Sequence, residues 1–203
     1  VTYNEQSLHN FLLNMNIQEF LRLIRIKYHV FTIHTIVIGY ILGSQTSIDQ
    51  WRILVILCLF IVLYSGLYII NDVIDFNKDS LNPDKQRSPL ISRKISKKKA
   101  LLLASICILV SVYGFHIVCA VSLPIIGFFI IYNLLYSVFL KKLPWVELFL
   151  GGTTHVLRLV LGFVVATSTI NFILLFPYVI IVYCIAFWVI IEKRLHELPK
   201  GPS

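Results

Sequence analysis

The chain has 203 residues, 58% of them hydrophobic and 14% charged, and a net charge of +8. With a mean hydropathy of +0.83, this composition excludes an ordinary water-soluble domain, in which roughly 45–50% of residues are apolar and 25% charged. The positive charge does not indicate nucleic acid, because the cations are gathered in a few loops between long apolar runs.

In chain order, residues 1–19 form a polar leader with a weak helical pattern. Six apolar runs then approach the ~20 residues that cross a bilayer: 28–43, 53–71, 100–119, 123–140, 145–167 and 170–191. The first run is short and starts nearer Phe20 if Arg22, Arg25 and Lys27 snorkel to the interface. It has no small-residue cleavage site, so it does not read as a removable signal peptide. The pattern predicts an all-α fold, a polytopic membrane helix bundle over residues 20–198, with 199–203 as a tail. Cys58, Cys107, Cys119 and Cys184 lack paired spacing and read as small apolar residues.

Sixteen of the 18 Lys and Arg residues flank the runs on one side of a six-helix threading, and the opposite loops hold only Arg52. The positive-inside rule then puts both ends and the 72–99 loop in the cytoplasm of a multi-pass protein of the cell membrane. The Lys97–Lys99 run needs no other role than setting topology and meeting anionic lipid.

Where the second run ends, the chain reads Asn71-Asp72-Val-Ile-Asp75-Phe-Asn-Lys-Asp79. Residues three, four and seven apart return to one helix face, so the three carboxylates share a stripe with an arc of roughly 60°. Like charges on one stripe repel, and a folding argument alone would not put them there. A divalent cation removes the repulsion. Oxygen-only ligands suit Mg²⁺, which takes one or two carboxylates and shares substrate phosphate oxygens. Asp72, Asp75 and Asp79 are therefore the candidate metal ligands and catalytic residues of a Mg²⁺–diphosphate site, with Asn71 beside them.

Pro83 and Pro89 end this helix in a loop from which Lys85 and Arg87 reach back toward phosphate oxygens. Read without a ligand, the loop is a solvated charged turn. Tyr136 and Lys141 close the fourth run and suit a phosphate equally with an interfacial aromatic belt. The fifth run carries Glu147, Gly151, Thr154, His155, Arg158 and Gly162 on one stripe. Arg158 is costly so deep in an apolar segment and should face a cavity or a partner, and the glycines admit a close neighbour. His155 reads as a hydrogen-bonded interior residue. The sixth run ends with Lys193, Arg194 and Glu197, a charged helix cap or part of the polar site.

Together these residues resemble the UbiA superfamily of intramembrane transferases, from about Glu19 to Leu198. Asn71-Asp72-x-x-Asp75-x-x-x-Asp79 matches its first aspartate-rich signature. Lys193-Arg194-x-x-Glu197-Leu198 looks like the second motif of the decaprenyl-phosphate phosphoribosyltransferase branch, and Asn82-Pro83-x-Lys85, Tyr136-Ser-x-x-Leu140-Lys141 and Arg158 with Gly162 are similar to that branch too. Asn82 stands where the branch has His, and Ser88-Pro89 where it has Arg-Pro. The superfamily fold has nine helices and six are expected here, so the resemblance implies a fragment or a truncated reading frame.

The resemblance implies a Mg²⁺-dependent transferase that moves 5-phosphoribose from phosphoribosyl diphosphate to a polyprenyl phosphate. Asp72, Asp75 and Asp79 would hold the metal, Lys85, Arg87 and Lys141 would face the diphosphate, and Arg158, Lys193 and Arg194 would place the lipid phosphate. Its partners are a diphosphate-bearing donor, a polyprenyl lipid acceptor and membrane lipid, with no nucleic acid. The rivals are a UbiA-type prenyltransferase with an aromatic or lipid acceptor, and an inactive membrane fragment.

Overall fold

The computed structural model describes residues 21–44, 48–86, 88–92, 95–143, 146, 149–169 and 171–197, and the backbone alone at 26–28, 30–32, 84, 172 and 193–197. Arg87 and Glu147, the leader and the tail thus lie outside the described residues. Every regular element among those described is helical: α1 Ile26–Gly43, α2 Gln50–Ile74, α3 Phe76–Asp79, α4 Lys97–Cys119, α5 Leu123–Val138, α6 Thr153–Thr167 and α7 Phe172–Glu197. Short 3₁₀ turns occupy Pro83–Lys85, Ala120–Ser122 and Leu140–Lys142. The all-α fold expected from the apolar runs is the fold observed.

Three stretches among the described residues are long and apolar enough to cross a membrane: Gln50–Ile74, Lys97–Lys142 and Ile173–Glu192. Their outward faces are greasy; Leu109 is 68% and Ile173 91% exposed. Water would penalise such a surface, whereas lipid does not. The fifth run is shorter than its sequence pattern, because Gly151 and Gly152 form a turn and α6 begins only at Thr153. At 1.5 Å per residue its 15 residues span about 22 Å, less than a ~30 Å hydrocarbon core.

The chain divides into two compact units, Val1–Phe31 with Cys58–Gly114, and Thr32–Leu57 with Phe115–Ser203. In the first, α2 and α4 pack at small residues. A Cβ on Gly66 would lie 2.9 Å from the Ala104 carbonyl oxygen, and Ser111 donates to the Leu59 carbonyl at 2.8 Å. The segment after α3 does not hang in solvent as a charged turn. Its Leu90 and Ile95 are buried with Leu23, Ile69, Ala100, Leu103 and Ala104. Each large apolar side chain so covered contributes roughly 1.5–3 kcal/mol, enough to hold the loop against the end of α2.

In the second unit, α6 packs against α5 and α7, and α1 crosses it through glycine. A Cβ on Gly39 would meet the Leu159 carbonyl oxygen at 2.0 Å, and one on Gly162 the Ile36 carbonyl oxygen at 2.0 Å. The close approach expected at Gly162 is thus present, and its neighbour is α1.

Candidate active site

The acidic motif sits where the apolar span of α2 gives way to polar chain. Asp72 belongs to the last turn of α2, Asp75 to the joint, and Asp79 ends α3. Helical bonds run through the joint, from the Asp75 N–H to the Asn71 carbonyl at 2.9 Å and from the Asp79 N–H to the Asp75 carbonyl at 2.8 Å. The sequence spacing of 72, 75 and 79 is therefore kept as a nearly helical ladder. Asp72 and Asp79 are buried and Asp75 is half-buried.

Two carboxylates of the ladder carry cations from elsewhere in the first unit. Lys85, on the turn Pro83–Lys85, donates from Nζ to Asp79 Oδ1 at 2.7 Å. Arg25 donates from its guanidinium to Asp72 Oδ1 and lies 5.2 Å from the centre of the Tyr68 ring. Arg25 does not snorkel to the interface, as its position before an apolar run suggests. Its φ of 53° is left-handed, a conformation non-glycine residues rarely adopt. That break frees the Ile24 carbonyl, which accepts a hydrogen bond from His29 Nε2 at 2.9 Å. The strained turn aims the guanidinium at the ladder.

Arg25→Ala is expected to destabilise the protein by about 2 kcal/mol, since it leaves a buried carboxylate uncompensated. Adding Asp72→Asn should recover most of that loss. Detergent unfolding of the two single variants and the double variant measures the coupling; simple additivity would show that the pair contributes nothing.

Among the described residues, no three Asp, Glu, His or Cys side chains converge into a protein-only metal cage. Such a ladder suits Mg²⁺, which draws one or two carboxylates from the protein and the rest of its shell from water and phosphate. Oxygen donors already matched to cations also fit such a group, because a metal–diphosphate bound between them would let each charge keep an opposite partner. Lys97, at the start of α4, lies 3.9 Å above the Phe76 ring and adds a further cation beside α3.

The other candidates belong to the second unit. Arg158 is 2% exposed and donates to Thr154 Oγ1 at 3.2 Å. The two residues come from the predicted stripe, as does His155, whose ring centre is 6.4 Å from that of His34. Tyr136 lies half-buried on α5 and Lys141 on the turn that follows. Lys193, Arg194 and Glu197 fall on the last turns of α7. The sequence expectation for Arg25 missed its partner, and the pairing of His155 with His34 had no sequence signal. A charge before an apolar run was the only available signal for Arg25.

Residues 32–196 match the UbiA prenyltransferase family. A digeranylgeranylglyceryl phosphate synthase of Sulfurisphaera tokodaii is 30% identical over 98 residues, 48% of this chain and 34% of that protein. A solved structure from work on digeranylgeranylglyceryl phosphate synthase in membranes superposes with a TM-score of 0.70 at 23% identity, covering 86% of this chain and 59% of that one. A UbiA homolog from Archaeoglobus fulgidus bound to GPP and Mg²⁺ gives 0.66 at 19% identity, covering 85% and 59%. The chain thus spans about a third of the curated relative and 59% of each solved chain. The helical fold is common to both solved structures, and with the family match running through most of its length, this chain belongs to the UbiA prenyltransferase family.

Proposed function

We propose that this chain carries the diphosphate site of a Mg²⁺-dependent intramembrane prenyltransferase that moves a prenyl group from a prenyl diphosphate to a lipid acceptor. One observation carries the reading: a ladder of three carboxylates where a membrane helix ends, with Arg25 and Lys85 already on two of them. Mg²⁺, when bound, supplies Lewis-acid neutralisation of the negative charge on the diphosphate. Asp72, Asp75 and Asp79 would hold the metal, and Arg25 and Lys85 exchange their carboxylate for phosphate oxygens, joined by Asn71 and Arg87. The bond between the prenyl C1 and the diphosphate oxygen breaks with its electron pair leaving on oxygen. A nucleophile of the acceptor then bonds to C1 and gives up its proton to water or to the departing diphosphate. The residues need form no covalent intermediate; positioning and charge do the work.

The order of readings differs from the one that the end of α7 suggests. The curated relative is named for a prenylated glyceryl phosphate, and a solved relative holds GPP and Mg²⁺. Both support prenyl transfer. Phosphoribosyl transfer to a polyprenyl phosphate remains the second reading, favoured by Lys193 and Arg194 standing where a second metal site would need acids. Both readings give Lys193, Arg194 and Arg158 to the acceptor phosphate, an anion that pairs with guanidinium and ammonium groups, and keep Tyr136, Lys141 and Glu197 as further substrate-binding candidates.

Membranes expressing the gene, given radiolabelled prenyl diphosphate and a lipid acceptor bearing a phosphate, are expected to form labelled lipid. Arg194→Ala should lose at least about tenfold of that product, because one charged hydrogen bond to the acceptor disappears. Label entering lipid only from phosphoribosyl diphosphate would reverse the two readings. The site faces the cytoplasm in this proposal, on the strength of sixteen flanking cations. A cysteine introduced at Ser88 should react with membrane-impermeant reagents only from that side; labelling from outside intact cells would invert the topology.

A further inference from the structure

The second unit contains a cavity of about 420 Å³ that the transfer reaction does not use. It lies where the C-terminal ends of α1 and α6 meet the first turn of α2 and the turn before α7, lined by Tyr40, Ser44, Asp49, Arg52, Thr167 and Asn171 among others. Its size falls within the ~300–1,000 Å³ of small-ligand sites, but its wall is mostly polar where such sites are mostly apolar.

The wall is built, not incidental. The buried Tyr40 donates its hydroxyl to the Asp49 carbonyl at 3.2 Å and so joins α1 to the start of α2. Asp49 caps α2 by accepting the Arg52 N–H on Oδ1 at 3.0 Å. Ser44 donates to the Tyr40 carbonyl at 2.8 Å and Thr167 to the Thr169 carbonyl at 2.7 Å. Asn171 Oδ1 accepts the Leu174 N–H at 3.2 Å, and α6 stops in the left-handed Ser168. These bonds leave the guanidinium of the half-buried Arg52, and Oδ2 of Asp49 and Nδ2 of Asn171 on two exposed residues, with no hydrogen bond to any described residue.

Asp49 and Arg52 are the only charged residues between positions 28 and 71, and both line this one cavity. A cation and an anion one helical turn apart match a molecule with both charges better than a simple anion or cation. Beside them, Trp51 is 77% exposed and Ile48 50%. An exposed tryptophan among aliphatic side chains at a helix end is the pattern of headgroup depth in a bilayer. That depth favours a lipid over a free solute.

We propose that this cavity seats the headgroup of a zwitterionic aminophospholipid, with its phosphate on the Arg52 guanidinium and its primary ammonium on Asp49. The inference does not depend on the transfer reaction. Phosphatidylethanolamine fits, because its ammonium donates hydrogen bonds; a choline headgroup has no N–H to give. The detergent-purified protein is titrated with phosphatidylethanolamine, phosphatidylcholine, phosphatidylglycerol and soluble glycerophosphoethanolamine, and bound lipid is counted by native mass spectrometry. Phosphatidylethanolamine should bind about tenfold more tightly than the other two lipids, and glycerophosphoethanolamine should not bind at the same concentration. Arg52→Gln should weaken phosphatidylethanolamine about tenfold or more, the scale of one charged hydrogen bond. Asp49→Asn keeps the helix cap and should abolish the preference over phosphatidylcholine, which decides the matter if Arg52→Gln does not fold. Equal binding of the three lipids, unchanged affinity in both variants, or equal binding of glycerophosphoethanolamine would overturn the proposal.

Discussion

Asp75→Asn is expected to reduce prenyl transfer at least about a thousandfold in membranes expressing the gene, while the protein still inserts and folds. Asp75 lies at the joint of the ladder between Asp72 and Asp79, and its exposure is greater than theirs, so neutralising it disturbs the fold less than neutralising either neighbour. Removing one preorganised electrostatic group costs roughly 10²–10³ in rate even where other groups remain. In the proposed site this carboxylate would also hold the metal against the diphosphate, so the effect should reach the upper end of that range. A chelator in excess should produce the same loss, and added Mg²⁺ should restore it. Full transfer in excess chelator would remove the metal from the mechanism. Full transfer by Asp75→Asn with Mg²⁺ dependence intact would move the site off the central rung of the ladder.

The second large effect concerns the fold. Gly162→Leu should destabilise the protein by about 3 kcal/mol or more. The first added carbon would overlap the Ile36 carbonyl oxygen at 2.0 Å and crowd the Tyr40 nitrogen at 2.8 Å. These neighbours are backbone atoms of α1, so a rotamer change cannot relieve the clash and the helices must part. The reciprocal contact of Gly39 with Leu159 would open with them. Gly127 is the control, since a Cβ there meets nothing within 4 Å. Gly127→Ala should be neutral or stabilise α5 by up to ~1 kcal/mol through helix propensity alone. Unfolding of the purified variants in rising fractions of a denaturing detergent tests both. If Gly162→Leu unfolds with the parent, α1 and α6 do not touch at this point in the native protein.

The membrane class, the helical fold and the acidic ladder were legible in the amino-acid sequence because each depends on local pattern. An apolar run states its length directly, and the spacing 72, 75 and 79 becomes one stripe as soon as the backbone turns at 3.6 residues. Lys85 was legible for the same reason: it stands six positions after Asp79, and the turn with Pro83 between them leaves few ways to go. Arg158 and Gly162 announced themselves by cost, as a guanidinium and a missing side chain within an apolar helix.

Only the tertiary structure decided which distant groups meet. Arg25 finds Asp72 across 47 residues, and no periodicity reports a pairing of that range; it rests on a left-handed residue just before α1. Leu90 and Ile95 looked like part of a charged loop until Leu23 and Ala100 were seen to cover them. Gly39 gains its meaning from Leu159, and Asp49 and Arg52 gain theirs from the ends of α1 and α6 with which they line one cavity. Local pattern determines what each segment is, since backbone geometry is the same in every protein. Contacts between segments depend on shape and charge brought together from far along the chain, and a linear pattern does not carry them.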